Sequence, residues 1–361
     1  MSMPRDFTVN GIGLLGIIVQ DQGRHEPLQE NTSEFTGLAF AIHAGVSILE
    51  KPQGRQSLRE VGLNVVQAWA NRPGGFKFGG DPNQMPRYVD AFLQAIRKDF
   101  PRVILSDVGG PDVIAETRRI PGTPGWNGNL FQYKPKSATG LIFNKRRVHQ
   151  MASAANQSSG STNGKKMASR YRTFLFMLAV ATAHELTHCF VGYLAQGQDS
   201  IGSYTPPRVT FLNYTGVEDE NGDPQTGESG RWLENYLFGG SIEFYKDTSD
   251  DGDQAGIPYI LNSRSVAKRI HPDCVLQLVT KINEFRDFPF KTSGKELSYQ
   301  DRRAKGLLSL GSTEATGVQA SGTFMRALRE GPRVLHNISA SELCRVPLEP
   351  RRVLRTSQVV Y

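Results

Sequence analysis

In this 361-residue chain the side chains best placed to do chemistry are His184, Glu185 and His188, in the run His184-Glu185-Leu186-Thr187-His188. Residues four apart on a helix stand one turn above each other, so the two imidazoles can offer nitrogens to a single cation. Glu185 lies about 100° further round, where a carboxylate could take a proton from water at that cation. This spacing is that of a zinc site with an attached general base. The run sits inside Phe174 to Leu194, a mostly apolar stretch with no Pro or Gly from Tyr171 to Val191, which predicts one long helix carrying the motif. A buried helix with two satisfied histidines explains the residues less well, because unpaired buried polar groups cost about 1–3 kcal/mol each.

Two imidazoles do not complete a catalytic zinc, which takes three protein ligands and keeps a position for water. Val191 and Leu194 stand where the longer three-histidine motif needs Gly and His, so the third ligand must come from elsewhere. The segment from Gly227 to Gly240 supplies Glu228 and Glu234, which stand about 240° apart round a regular helix and so cannot both reach one ion from it. Glu234 shares the inward-packing face with Gly230 and Leu237/Phe238, and is the favoured ligand. Glu228 is the alternative, since interaction with the helix dipole already accounts for an acid at a helix start. The acid that does not ligate is expected to hold a histidine in place. Glu243 is a more distant candidate. Tyr204, Tyr214 and Arg231 are candidates by position for stabilising an oxyanion.

The elements that must position these residues are partly legible. Apolar pieces at Leu14 to Val19 and Leu38 to Ile42 read as strands, and Val103 to Leu105 and Gly140 to Asn144 as two more. Ser57-x-x-Glu60 reads as a capping box opening a helix over 57–70, and a second amphipathic stripe predicts one over 86–99. Residues 107–139 are rich in Pro and Gly and read as loops. The polar stretch 156–166 reads as a surface loop before the long helix. Further on, 208–212 reads as a strand, 230–238 as a helix ending at Gly239-Gly240, and 273–285 as another helix. Gly11-x-Gly13-x-x-Gly16 lacks the flanking strand and helix of a dinucleotide site. The acidic group Asp247, Asp250, Asp251, Asp253 lacks the full calcium-loop pattern and reads as a solvated turn.

Composition bounds the class. With 38% hydrophobic and 9% aromatic residues the chain can build a large core. The ten apolar residues from Phe174 to Ala183 fall short of a membrane span, and no cleavable leader is evident, so an intracellular, cytoplasmic protein is expected. Three cysteines without Cys-x-x-Cys spacing suggest neither a disulfide framework nor a thiolate zinc site. Residues 257–361 carry 17 Lys/Arg against 9 Asp/Glu, while the rest of the chain is close to neutral. These cations are dispersed, without an aromatic platform, so no nucleic-acid partner is expected.

The motif followed by a glutamate-bearing helix resembles the gluzincin type of zinc metallopeptidase, and Gly230-x-x-x-Glu234 is similar to the Gly-x-x-x-Glu of thermolysin-like members. Glu228-Ser229-Gly230 together with Trp232-Leu233-Glu234-Asn235-Tyr236 is most similar to zincin-like proteins of filamentous fungi. Glu234 follows His188 at a greater distance than is usual in thermolysin-like enzymes, and Phe238 stands in place of their aspartate. The resemblance implies an α+β, zincin-like fold, with a mixed sheet packed on the active-site helix and a mainly helical C-terminal part. The chain then divides into an N-terminal α/β part (1–166), a zinc-binding core (167–246) and a basic C-terminal part (247–361). The expected function is a zinc-dependent hydrolase acting on a peptide or small amide-containing substrate, with Glu185 catalytic. The alternatives are a zinc enzyme acting on a small metabolite and a non-catalytic binding protein on the same scaffold.

Overall fold

A computed structural model describes residues 11–21, 24–72, 75–108, 113–120, 122–158, 162–212, 225–250, 252–312, 334–338 and 357–360. The chain opens with β1 (Ile12–Leu15), β2 (Ile17–Asp21) and β3 (Arg24–Pro27), then α1 (Ser33–Glu50), α2 (Pro52–Ala70) and α3 (Met85–Lys98). Next come β4 (Arg102–Ser106), β5 (Ala115–Arg119), α4 (Pro135–Ala138), β6 (Thr139–Asn144), α5 (Lys145–Gln157) and α6 (Gly164–Leu194). After α7 (Ser229–Phe238) follow β7 (Ser241–Tyr245), β8 (Ile257–Leu261), β9 (Ala267–Ile270), α8 (Pro272–Thr280), β10 (Thr292–Leu297), α9 (Tyr299–Ala304) and β11 (Ser309–Ser312). Short strands β12 (Val334–Ile338) and β13 (Ser357–Val360) complete the described chain.

The protein is α+β. One sheet runs β3-β2-β4-β6-β5, with β2, β4 and β6 parallel and the two edge strands antiparallel to them. A second, antiparallel sheet runs β10-β9-β8-β7-β11, and a third pairs β1, β12 and β13. The 31-residue α6 is the central rod. It packs against α1, α5, α7, β5, α8 and α2, so its apolar residues meet protein on all sides. By length and hydropathy it could cross a membrane, but its apolar window is buried within the fold. One core cluster takes residues from all three sequence segments, and β7 pairs with β8 and β11 across the boundary drawn at 246.

Several sequence expectations are corrected. Leu38 to Ile42 is not a strand but the middle of α1, where every residue from Phe35 to Leu49 is buried. A helix apolar on all faces loses its period, and only its start was written locally: Thr32 accepts a hydrogen bond from the Phe35 amide. Ser57 does not open α2, which begins at Pro52; the Ser57 hydroxyl donates to the Gln53 carbonyl instead. Residues 107–139 include β5, a charged edge strand with no apolar alternation to announce it. Residues 208–212 form no strand, and the helix expected to reach Phe285 stops at Thr280. The C-terminal part is not mainly helical. Among the described residues after 246, four strands of the second sheet outweigh the short α8 and α9, because half-exposed Lys- and Ser-rich hairpins carry little periodic signal. Nor is the acidic group simply solvated, since Asp250 pairs with Lys166 and Arg170 at the start of α6.

One buried ion pair locks α1, α3 and β1 together. Arg97, with 2% of its side chain exposed, grips Glu50 through Nε (2.9 Å) and Nη2 (2.7 Å). It also donates to the Gly11 carbonyl, the Ser47 hydroxyl and His43 Nδ1. Burial, then the charges of Arg97 and Lys51, hold His43 well below its ordinary pKa, so it is neutral in the fold. Removing one partner of a buried pair strands the other, so Arg97→Ala should cost about 3–5 kcal/mol in urea unfolding. The His43 contribution should be complete above its unfolded value of 6.5 and shrink as pH falls below it. His43→Gln should flatten that part of the stability curve.

Candidate metal centre

The centre forms where the last third of α6 meets the start of α7. His184, Glu185 and Glu228 are fully buried, and His188 keeps 14% of its side chain exposed. Glu228 is the N-cap of α7, with non-helical φ −136° and ψ 89°. Glutamate is not among the side chains that favour this position. Here one carboxylate does two jobs: Oε2 accepts from the Arg231 amide, while Oε1 lies 3.1 Å from His184 Nε2 and 2.5 Å from His188 Nε2. The two Nε2 atoms are 3.4 Å apart.

Two close approaches bring Glu228 there. The Gly227 amide donates to the Thr205 carbonyl at 2.7 Å, and a Cβ at 227 would fall 2.1 Å from the Pro206 carbonyl oxygen. The Glu228 amide then donates to the Val209 carbonyl. On the next turn a Cβ at Gly230 would come within 2.4 Å of the His184 ring. The imidazole therefore lies directly against the α7 backbone.

The outer nitrogen of each histidine is also fixed. His184 Nδ1 donates to Glu234 Oε1 at 2.8 Å, and Glu234 Oε2 accepts from the Ser241 hydroxyl and the Ile242 amide. His188 Nδ1 meets the Ser229 hydroxyl at 3.1 Å, which also accepts from Thr205. With Nδ1 engaged, each ring turns Nε2 to the common point. The ranking from sequence is thus corrected: Glu228, not Glu234, joins the two Nε2 atoms, and Glu234 is the partner on the far side of His184.

The histidines and acids of the cluster favour one another's charged forms. Burial alone would lower the His184 pKa, yet Glu228 and Glu234 together raise it well above its ordinary value. Burial alone would raise Glu228, yet His184 and His188 hold it well below the usual carboxylate range. A tetrahedral zinc with bonds near 2.0–2.1 Å separates its ligand atoms by roughly 3.3 Å. The 3.4 and 3.1 Å separations fit that spacing, and the 2.5 Å contact needs to open by less than 1 Å. Two imidazole nitrogens and one carboxylate oxygen are therefore a donor set into which a divalent cation fits.

Glu185 differs from the other two acids. Thr117 of β5 donates to its Oε2 at 2.8 Å, while Oε1 is buried with no hydrogen-bond partner among the described residues. Burial raises its pKa; His184, His188 and Thr117 pull the other way. Thr117 carried no signal in sequence, since its strand did not read as one. Of the candidates for stabilising an oxyanion, Tyr204 gives its hydroxyl to Asp199 and lies under the Arg119 guanidinium. Arg231 turns its side chain toward Glu243, and Tyr214 lies outside the described residues. Glu243 is not at the cluster; burial pushes it up to about 7, against the pull of Arg231.

Compared with models of known protein families, with curated proteins and with solved structures, the chain matches none. What can be said of its chemistry rests on its own residues.

The two acids can be told apart by titrating zinc against a chelator. Glu228→Ala should empty the site, whereas Glu234→Ala should retain the ion with affinity reduced about 10- to 100-fold. Gly230→Ala should weaken zinc binding without removing any ligand, because its methyl group needs the space of the His184 ring. Normal affinity in Gly230→Ala would contradict the packing described.

Proposed function

We propose that the chain is a zinc-dependent hydrolase of peptide or related amide bonds, in which His184, His188 and Glu228 hold the ion and Glu185 is the general base. One observation carries the reading: the two Nε2 atoms and Glu228 Oε1 converge beside a buried glutamate with one oxygen unpartnered among the described residues. Two imidazoles and one carboxylate with a position left over is the donor set of a catalytic zinc site. Zinc held there supplies a Lewis acid that polarises a carbonyl and makes water nucleophilic near neutral pH.

The chain's own residues do the rest. Glu185 Oε1 accepts a proton from the attacking water and returns it to the leaving nitrogen, while Thr117 holds Oε2 and so aims the carboxylate. Glu234 and Ser229 keep the imidazoles in the tautomer that turns Nε2 inward. A peptide substrate is supported by β5, an edge strand that could accept an extended chain beside Glu185. A small amide is the second reading, favoured by the burial of all but His188. The family proposed is the gluzincin-like, zincin-type hydrolases, on the motif and the glutamate-bearing helix. Cys189 and Cys274 are free and buried, which fits an intracellular setting.

The purified protein should carry one equivalent of zinc, lost in His184→Ala and His188→Ala. Glu185→Gln should keep zinc and lose turnover by about 100-fold or more on a peptide-library digest read by mass. Full zinc in both histidine variants would sink the reading, and undiminished turnover in Glu185→Gln would leave any metal structural. Thr117→Val should lower kcat, leave zinc content and KM unchanged, and displace the acidic limb of the pH profile.

A further inference from the structure

We infer that a cleft at the opposite end of α6 is a second binding site, one that takes a small organic anion with an apolar body. The cleft measures about 520 Å³, lies between the start of α6 and the β8, β9 and α8 corner, and has none of the metal-centre residues in its wall. That volume is within the range of small-molecule sites, roughly 300–1,000 Å³. Arg172 on its wall is 12 residues before His184, about 18 Å along the helix at 1.5 Å per residue.

Among the described residues the charges lining the cleft do not cancel. Lys166, Arg170, Arg172 and Arg269 line it against Asp247, Asp250 and Asp273. Asp250 is already paired with both Lys166 and Arg170. Asp247 accepts from the Ser249 amide and hydroxyl, and Asp273 keeps 70% of its side chain in solvent. Half-buried Arg172 and exposed Arg269 have no hydrogen bond or ion pair among the described residues, Arg269 standing within reach of the charge of Asp247 and across the strand pair from Tyr259. The same cleft is also lined by the apolar side chains of Ile257, Pro258, Ile270, Val275 and Leu276.

A guanidinium presents a planar fork of donors that a carboxylate fills with two parallel hydrogen bonds. An anion seated on Arg172 and Arg269 would extend its hydrocarbon part along the Ile257 to Leu276 side. Neither group alone uses the cleft: a bare anion leaves the apolar wall wet, and a neutral hydrocarbon leaves Arg172 without a partner.

Calorimetric titration of the zinc-loaded full chain with sodium octanoate tests this. One equivalent should bind, octan-1-ol should bind at least tenfold more weakly, and acetate should compete poorly. Arg172→Ala and Arg269→Ala should each weaken octanoate at least tenfold while zinc content and thermal unfolding stay unchanged. That result also separates the cleft from carboxylate binding at the metal centre. Leu276→Ser, at an exposed wall position, should weaken octanoate and leave acetate unaltered. No octanoate binding, equal affinity for octanol, or octanoate affinity unchanged in both arginine variants would overturn the inference.

Discussion

Everything near the candidate metal centre depends on a carboxylate, Glu228, buried between two imidazoles. A charge removed from water to this degree costs several kcal/mol unless opposite charge and hydrogen bonds surround it. Glu228 has both: Nε2 of His184 and His188 on one oxygen, and the first-turn amide of Arg231 on the other. The constraint propagates outward. α7 must begin at residue 229 for the amide to be available, Gly230 must lack a side chain for the His184 ring to fit, and the chain before it must pack on 205–209. A shift of one residue in the start of α7 would break all three.

Three glutamates share this region, and their partners give them different work. Glu228 faces two histidines and is held ionised. Glu234 faces the outer nitrogen of one histidine and the start of β7, on the far side of His184 from Glu228. Glu185 sits against Thr117 with one oxygen unclaimed among the described residues, and burial raises its pKa. Divergent environments of this kind would let like groups serve as ligand, support and base in the function proposed.

The fold holds that cluster in place by making α6 a fixed axis. This helix is flanked by α1, α5 and α8, its end meets α7 and the edge strand β5, and its beginning carries the ion pairs of Asp250. A helix buried on every face from Phe174 to Thr187 cannot rotate without moving its neighbours, so the positions of His184 and His188 are set by packing far from them. The Arg97–Glu50 pair does the same for α1, which packs along α6.

The sequence by itself determined the parts governed by local period and residue type. The helix bearing His184, Glu185 and His188 was legible because a spacing of four on an apolar run has one geometric meaning, and α3 because its stripe is one-sided. α1 was not, since a helix buried on every face has no stripe; β5 was not, since an edge strand of Glu, Thr and Arg resembles a loop. The pair Glu228 and Glu234 was found by type, but which one faces the histidines was a tertiary decision. Helical periodicity favours Glu234 only if both acids lie within the helix. Glu228 caps it instead, and a cap side chain is free of the helical angle, so the Gly227 approach to residues 205–209 turns it inward and leaves Glu234 one ring-width behind.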